Sequence, residues 1–407
     1  MAITRAQLKK FSLLSSLYIA QGLPFGFFTQ ALPALLREKG ISLEIIGLGS
    51  LLALPWAFKW LWAPLLDRTH HHRRWILSSN LCAVLTCLLL ASFDLEQLVQ
   101  AKLWLLYLGF FILNLSAATQ DIATDAMAVI QLSENERGIG NGIQVAGYRL
   151  GMILSGGALL SWFSVLGWQS SILILATLLA LASLPIILFP PSLPKTSPNE
   201  QFGARQSFWL LTNPHGRMWL LTLCLYKFGE ACAVPMLRPM LIDQGRSLQD
   251  LAYLIGTVGF AAGLFGSLTG GIVLNHLGQR LSLRIFLLLN AGAIFAFALI
   301  AQLSHASQLS LQVVCALEHF TAGMATVALF SEMMYHCRPQ HEATDYTMQA
   351  CLVVLMTILG AAISGFLAKA LGYAGLFFLC AGFTLAVMPV LITYQKKRHL
   401  LNQSVTR

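Results

Sequence analysis

The sequence predicts an all-α polytopic membrane protein with twelve transmembrane helices arranged as two sets of six. Three observations predict it. Hydrophobic residues make up 57% of the 407 residues and charged residues only 11%, with a mean hydropathy of +0.69. A soluble domain carries about 25% charge, and a disordered chain needs low hydrophobicity, so both classes are excluded. The apolar residues also fall in runs long enough to cross a bilayer, which takes about 20 residues. Finally, one long polar connector, PPSLPKTSPNEQFGARQSFWLLTNPHG at 190–216, divides these runs into two sets.

In chain order the first set of spans is read at 11–36, 44–66, 75–93, 103–130, 138–163 and 169–189, and the second at 216–242, 250–275, 282–302, 309–335, 345–368 and 372–394. This gives an N-terminal six-helix bundle at 1–189, a cytoplasmic linker at 190–216 and a C-terminal six-helix bundle at 217–407. The first run exceeds the 7–15 apolar residues of a signal peptide, and no A-x-A site follows it, so it is read as a retained span. Spans 1 and 7 carry helix breakers, Gly22, Pro24 and Gly26 in one and Gly229 and Pro235 in the other. Breaks at membrane depth are tolerated where they border a cavity or a packed interface. Tyr18, Gln21 and Gln30 are therefore expected to line a path. Span 5 is rich in small residues (Gly147, Gly151, Gly156, Gly157) that permit close helix approach.

The net charge of +9 is read as membrane topology and not as a nucleic-acid surface. Placing both termini in the cytoplasm puts 17 Lys and Arg on that side and five on the other, with Lys59, Arg149, Lys227 and Arg238 inside spans. Lys and Arg resist translocation, so this orientation is favoured. The eight cysteines form no CxxC and lie mostly in apolar runs, where they act as small packing residues.

The two sets resemble each other. Pro33-Ala34-Leu35-Leu36 followed by KGISL matches Pro239-Met240-Leu241-Ile242 followed by QGRSL, and PLLDR at 64–68 matches IVLNH at 272–276. Parallel repeats of six spans are the layout of the major facilitator fold. Asp67-Arg68 with Arg73-Arg74 resembles that superfamily's loop pattern between spans 2 and 3, and Gly271, Asn275-His276, Gly278 and Arg280 resemble its echo after span 8. The resemblance implies a gating loop made of Asp67, Arg68, Arg73, Arg74 and Arg280. The first copy departs from the pattern by carrying His70-His71-His72, which is read as a solvated basic loop and not as a metal site. Gly151 is followed by Met152 where the superfamily's antiporters carry Gly-Pro, so nothing here supports antiport.

A second resemblance rests on Ala117–Asp125 of span 4, Leu54–Pro64 of span 2 and Ala20–Pro24 of span 1. These resemble the branch that holds AmpG-type muropeptide permeases, acetyl-CoA transporters and RhtX/FptX-type siderophore permeases. Gly26–Pro33 and the twelve-span length lean toward the siderophore permeases. The resemblance implies import of a sizeable organic anion, most closely an iron siderophore, by proton symport across a bacterial inner membrane. A muropeptide or an acyl-CoA is the second reading.

Ionisable groups at membrane depth are costly and usually face a cavity or a partner. Asp121 and Asp125, at i,i+4, share one helix face and suit a proton carrier; they equally suit locking by Lys59 or Arg149. Asp125 is also placed to brace the Asp67 loop. Arg149, beside Tyr148, offers a planar fork to an anion or a permanent partner to span 4. Lys59 lies among Trp56, Phe58, Trp60 and Trp62, where it forms an anion-binding wall or snorkels to the surface. Lys227 and Glu230 read as a helix-internal salt bridge that substrate could open. Glu318-His319 is a further protonation candidate. Glu332 and Arg338 are read as interfacial.

The expected substrate-binding set is thus Arg149, Gln21, Lys59, Tyr18, Gln30, Tyr148 and Lys227. The proton-coupling set is Asp121, Asp125, Glu230, Glu318 and His319. A membrane enzyme is a distant alternative, since no H-E-x-x-H or G-x-S-x-G motif occurs, and ATP-driven transport is excluded because no Walker A motif occurs. A receptor built on a transporter fold remains a distant third class. No cofactor is expected; the partners are the solute, protons and the lipid bilayer, with the chain acting as a monomer.

Overall fold

The structure, a computed structural model, describes residues 4–190, 208–303 and 306–405. Most of the linker, including Lys195 and Arg205, and Arg407 therefore lie outside the described residues. Long apolar runs without strand-like alternation form helices, because only a helix satisfies every backbone polar group inside lipid. The helices are α1 (Arg5–Glu38), α2 (Ile45–Leu61 with Ala63–Thr69, bent by 48°), α3 (His72–Ala91), α4 (Leu103–Gln131), α5 (Glu134–Ser161) and α6 (Phe163–Leu188). They continue as α7 (Pro214–Asp243), α8 (Tyr253–Leu277), α9 (Gln279–Ala301) and α10 (Gln308–Tyr335). A last apolar stretch, Glu342–Arg398, is divided by a non-helical Gly372 into α11 (342–371) and α12 (373–398). The twelve spans read from the sequence are all present among the described residues.

The duplication recurs in the backbone. Gly40 after α1 and Gly245 after α7 both have φ near +80°, and Gly167 and Gly372, which open the last span of each set, both have φ near +70°. Each pair is 205 positions apart, matching the offset of the sequence repeats. A side chain disfavours this left-handed region, which is why glycine stands at all four.

The chain forms two compact units. One comprises Met1–Glu134, Ile143–Glu200 and Cys337–Thr347, and the other Asn135–Gly142, Gln201–His336 and Met348–Arg407. Each unit thus takes a short segment from the opposite half of the sequence: the start of α11 joins the first and the start of α5 joins the second. The core of the first unit centres on Phe27, which stacks on Phe110 at 5.9 Å and meets Trp168 at 6.2 Å. The core of the second includes Phe297 against Phe377 at 5.6 Å. Exposed apolar side chains such as Leu85, Phe265 and Phe366 suit contact with lipid.

The sequence predicts a break in α1 at Pro24, and the structure instead keeps the helix and relaxes it into a wide turn at Phe27–Ala31. α5 has a similar wide turn at Ile153–Ala158. α7 tightens at Val234–Met236, where Pro235 lies. Between α1 and α5 the backbones nearly touch: a Cβ on Gly22 would lie 2.1 Å from the Tyr148 carbonyl oxygen, and one on Gly151 would lie 2.3 Å from that of Ile19. A carbonyl cannot swing aside as a side chain can, and overpacking costs about 1–3 kcal/mol or more. Gly151→Val is therefore expected to lower the thermal unfolding midpoint and the folded yield in detergent. An unchanged midpoint would show that this crossing is slack.

Candidate functional site

The site in the first unit is organised by one face of α4. Asn114, Asp121 and Asp125 follow one another along it and all are buried. Asp121 forms an ion pair with Lys59 from α2. The pair is nearly dry, with side-chain exposures of 9% and 5%. Lys59 also sits over the Trp56 ring at 5.5 Å, so the indole face supports the cation. Lys59 is thus turned inward and does not snorkel. Trp56 is held in turn by its N–H, which donates to Asn114 Oδ1 at 3.1 Å.

One turn further along, Asp125 Oδ1 accepts from the Tyr18 hydroxyl at 3.0 Å and from Gln144 Nε2 at 3.0 Å. Gln144 also approaches the Tyr346 hydroxyl at 3.4 Å. Asp125 therefore ties α1, α4 and α5 together and is not the brace of the Asp67 loop. Phe25, Trp56 and Tyr148 form a mutual aromatic triad beside the ion pair, with centroid separations of 5.6, 5.8 and 6.3 Å. All three rings are half-buried, as is Arg149, one residue beyond Tyr148. Tyr18 and Gln21 are almost completely buried, and Gln30 is half-buried and packs at Gly156. The arrangement offers a stacking surface with the Lys59 ammonium at its edge.

Asp67 has another task. Its Oδ1 accepts from the Ala343 N–H at 2.9 Å, and its Oδ2 from the Thr344 N–H at 2.8 Å and the Thr344 hydroxyl at 2.5 Å. It caps the N-terminus of α11, where unpaired N–H groups and the helix dipole favour an anion. Asp345, in the same turn, binds Arg338 through the guanidinium at 2.9 and 2.8 Å. Arg73 donates to the carbonyls of Ile186 and Ile187 at the end of α6, at 3.2 and 3.4 Å. Arg68, Arg74 and Arg280 are exposed. In the histidine loop His71 is exposed and His72 buried, and burial, then His71, lowers His70 below the usual histidine range.

The second unit brings its own candidates together in two pairs. Lys227 lies 2.5 Å from Glu230 and donates to Thr326 Oγ1 on α10 at 3.1 Å. His319 Nδ1 lies 2.8 Å from Glu318, which is buried. The sequence did not single out Asn114, Gln144, Thr344 or Tyr346. Neutral amides and hydroxyls, unlike charges, do not stand out in an apolar run.

The family model described as Major Facilitator Superfamily matches residues 14–353. An uncharacterized protein of Haemophilus influenzae is 30% identical over 382 residues, covering 88% of each chain. The anhydromuropeptide permease of Escherichia coli K12 is 29% identical over 381 residues, covering 89% of this chain and 75% of the permease. The crystal structure of the human organic anion transporter MFSD10 (TETRAN) superposes with a TM-score of 0.78 at 15% identity, covering 95% of this chain and all of that one. Two sets of six spans, a duplicated backbone and a match across most of the chain lead to one conclusion: the chain belongs to the major facilitator superfamily and is a secondary membrane transporter, not an enzyme.

Proposed function

We propose that the protein is a bacterial inner-membrane permease that imports an anhydromuropeptide-class solute by proton symport, as a monomer with both termini in the cytoplasm. The observation that carries the reading is the similarity to the Escherichia coli anhydromuropeptide permease along 89% of the chain. It favours the muropeptide over the iron siderophore to which Gly26–Pro33 leans. A muropeptide joins a sugar ring to a peptide carrying carboxylates. The apolar face of the ring suits the Phe25–Trp56–Tyr148 triad, and a carboxylate suits the planar fork of Arg149.

Coupling follows from the buried pair. A proton on Asp121 neutralises the partner of Lys59, and Lys59 then turns to the anionic solute. Asp125, Lys227–Glu230 and Glu318–His319 are further stations at which protonation and binding are linked. The sequence halves at 1–189 and 217–407, joined by the 190–216 linker, alternate access to the solute. The Asp67 cap on α11 fastens one of the alternating states.

The test is uptake of labelled anhydromuropeptide into energised cells with and without the protein, with a labelled iron siderophore in parallel and a protonophore as control. Protonophore-sensitive muropeptide uptake that Arg149→Ala reduces at least about tenfold, the loss of one charged anchor, is the expected result. Siderophore uptake alone would overturn the substrate, and insensitivity to the protonophore would overturn the coupling.

A further inference from the structure

At the opposite end of α10 from Glu318, a second group of buried polar side chains lies wholly within the second unit. The transport reading above does not use it. Glu332, which the sequence places at the interface, is fully buried. Its Oε1 accepts from the Tyr394 hydroxyl and from Arg398 NH1, the latter at 2.5 Å. Its Oε2 is buried and has no hydrogen-bond partner among the described residues. A carboxylate oxygen left bare in a dry site is costly, and a proton on the carboxyl removes the charge that makes it so.

The path for that proton is on the page. His336 Nε2 lies 2.6 Å from the Tyr394 hydroxyl oxygen. Tyr394 has one proton and gives it to Glu332, so His336 donates from Nε2. Trp219 stacks on the imidazole at 4.8 Å, and its own N–H is held by Gln349 at 2.6 Å. His336, Tyr394 and Glu332 thus form a chain of three groups in fixed order.

We propose that Glu332, Tyr394 and His336 form a proton-binding site whose filling releases Arg398, and with it the end of α12, from α10. A proton taken up at His336 Nδ1 lets the Nε2 proton pass to Tyr394 oxygen while the Tyr394 proton passes to Glu332. One proton enters and no electrons move. His336 ends neutral with its proton on Nδ1, Tyr394 ends neutral, and Glu332 ends as a carboxylic acid. Arg398, whose side chain is 12% exposed, then faces no carboxylate, and an uncompensated buried charge is strongly unfavourable.

Among the described residues, other charged or titratable groups around the cluster include His215, stacked on Tyr394 at 5.4 Å, Tyr335, whose ring lies 3.5 Å from the Arg398 guanidinium, and Lys397, which acts on His215. Burial, then Arg398, then His215, hold His336 well below the usual histidine range. The imidazolium is therefore only a carrier of the proton. Acidification fills the cluster by way of His336 and so drives it open.

The test is amide hydrogen exchange of the purified full-length protein in lipid nanodiscs, corrected for intrinsic pH dependence and read over 330–336 and 390–398. Exchange is expected to be about fivefold faster at about pH 5.5 than at about pH 8. His336→Gln and Tyr394→Phe should abolish this step and stay slow at both pH values, while Glu332→Gln should be fast at both. A wild type without the step overturns the proposal. So does a step that persists in His336→Gln and Tyr394→Phe, fast exchange of His336→Gln at both pH values (which leaves the imidazole as packing alone), or slow exchange of Glu332→Gln at both.

Discussion

Lys59→Met is expected to abolish transport and to destabilise the protein by about 3–5 kcal/mol, the usual consequence of stranding one member of a buried ion pair. The reason is local. Asp121 is 9% exposed at its side chain and sits on α4 among Asn114, Gln120 and Thr124, which are themselves buried. At that exposure bulk solvent reaches little of the carboxylate once the ammonium is gone. The double variant Lys59→Met/Asp121→Leu removes both charges and should recover most of the stability, because an apolar pair of similar volume is often neutral or better. It should not recover transport, since the proposed coupling runs through this pair. Thermal unfolding in detergent and solute uptake read the two effects separately. If Lys59→Met unfolds at the wild-type midpoint, the pair is not the structural lock it is taken to be. If the double variant transports, coupling lies elsewhere.

Asp67→Ala should slow uptake at least about tenfold, because charge-assisted hydrogen bonds are each worth roughly 1.5–3 kcal/mol. The carboxylate accepts three bonds from the first turn of α11, and alanine leaves two backbone N–H groups and a hydroxyl without an acceptor. Asp67→Asn keeps one carbonyl oxygen and should fall between. Thr344→Val removes only the hydroxyl and should cost less than either. The hydroxyl acts only through Asp67, so Asp67→Ala/Thr344→Val should be no worse than Asp67→Ala alone. Strict additivity would mean that Asp67 acts through the loop charge and not through the α11 cap.

Much of the fold could be read from the sequence because the bilayer leaves few choices. Apolar runs of fixed length must be helices, and Gly40, Gly167, Gly245 and Gly372 punctuate them where the backbone turns. The break expected at Pro24 is instead absorbed as a wide turn three residues on, because the helix loses one N–H there and not its packing against α5. Within the site, Lys59, Asp121 and Asp125 stood out as charges in apolar surroundings. Their partners did not. Which aspartate Lys59 takes depends on the rotation of α2 against α4, and spacing along one chain does not record it. Two of the donors that complete Asp67, the N–H groups of Ala343 and Thr344, belong to the backbone and have no signature in residue type. Glu332 looked interfacial because it lies near the end of its span, yet Tyr394 and Arg398, more than sixty residues away, close over it.

The paired left-handed glycines bear on how such a protein drifts. At 33–36 and 239–242 only the proline and one leucine are shared in kind, so side chains in the two copies have been exchanged freely for others of similar hydrophobicity. Gly40, Gly245, Gly167 and Gly372 have had no such freedom, since a substitution there is strained whatever space surrounds it. In a saturation library these four positions should therefore be depleted of replacements far more than lipid-facing leucines such as Leu85. The oldest record of the duplication is kept in corners of the chain that touch almost nothing.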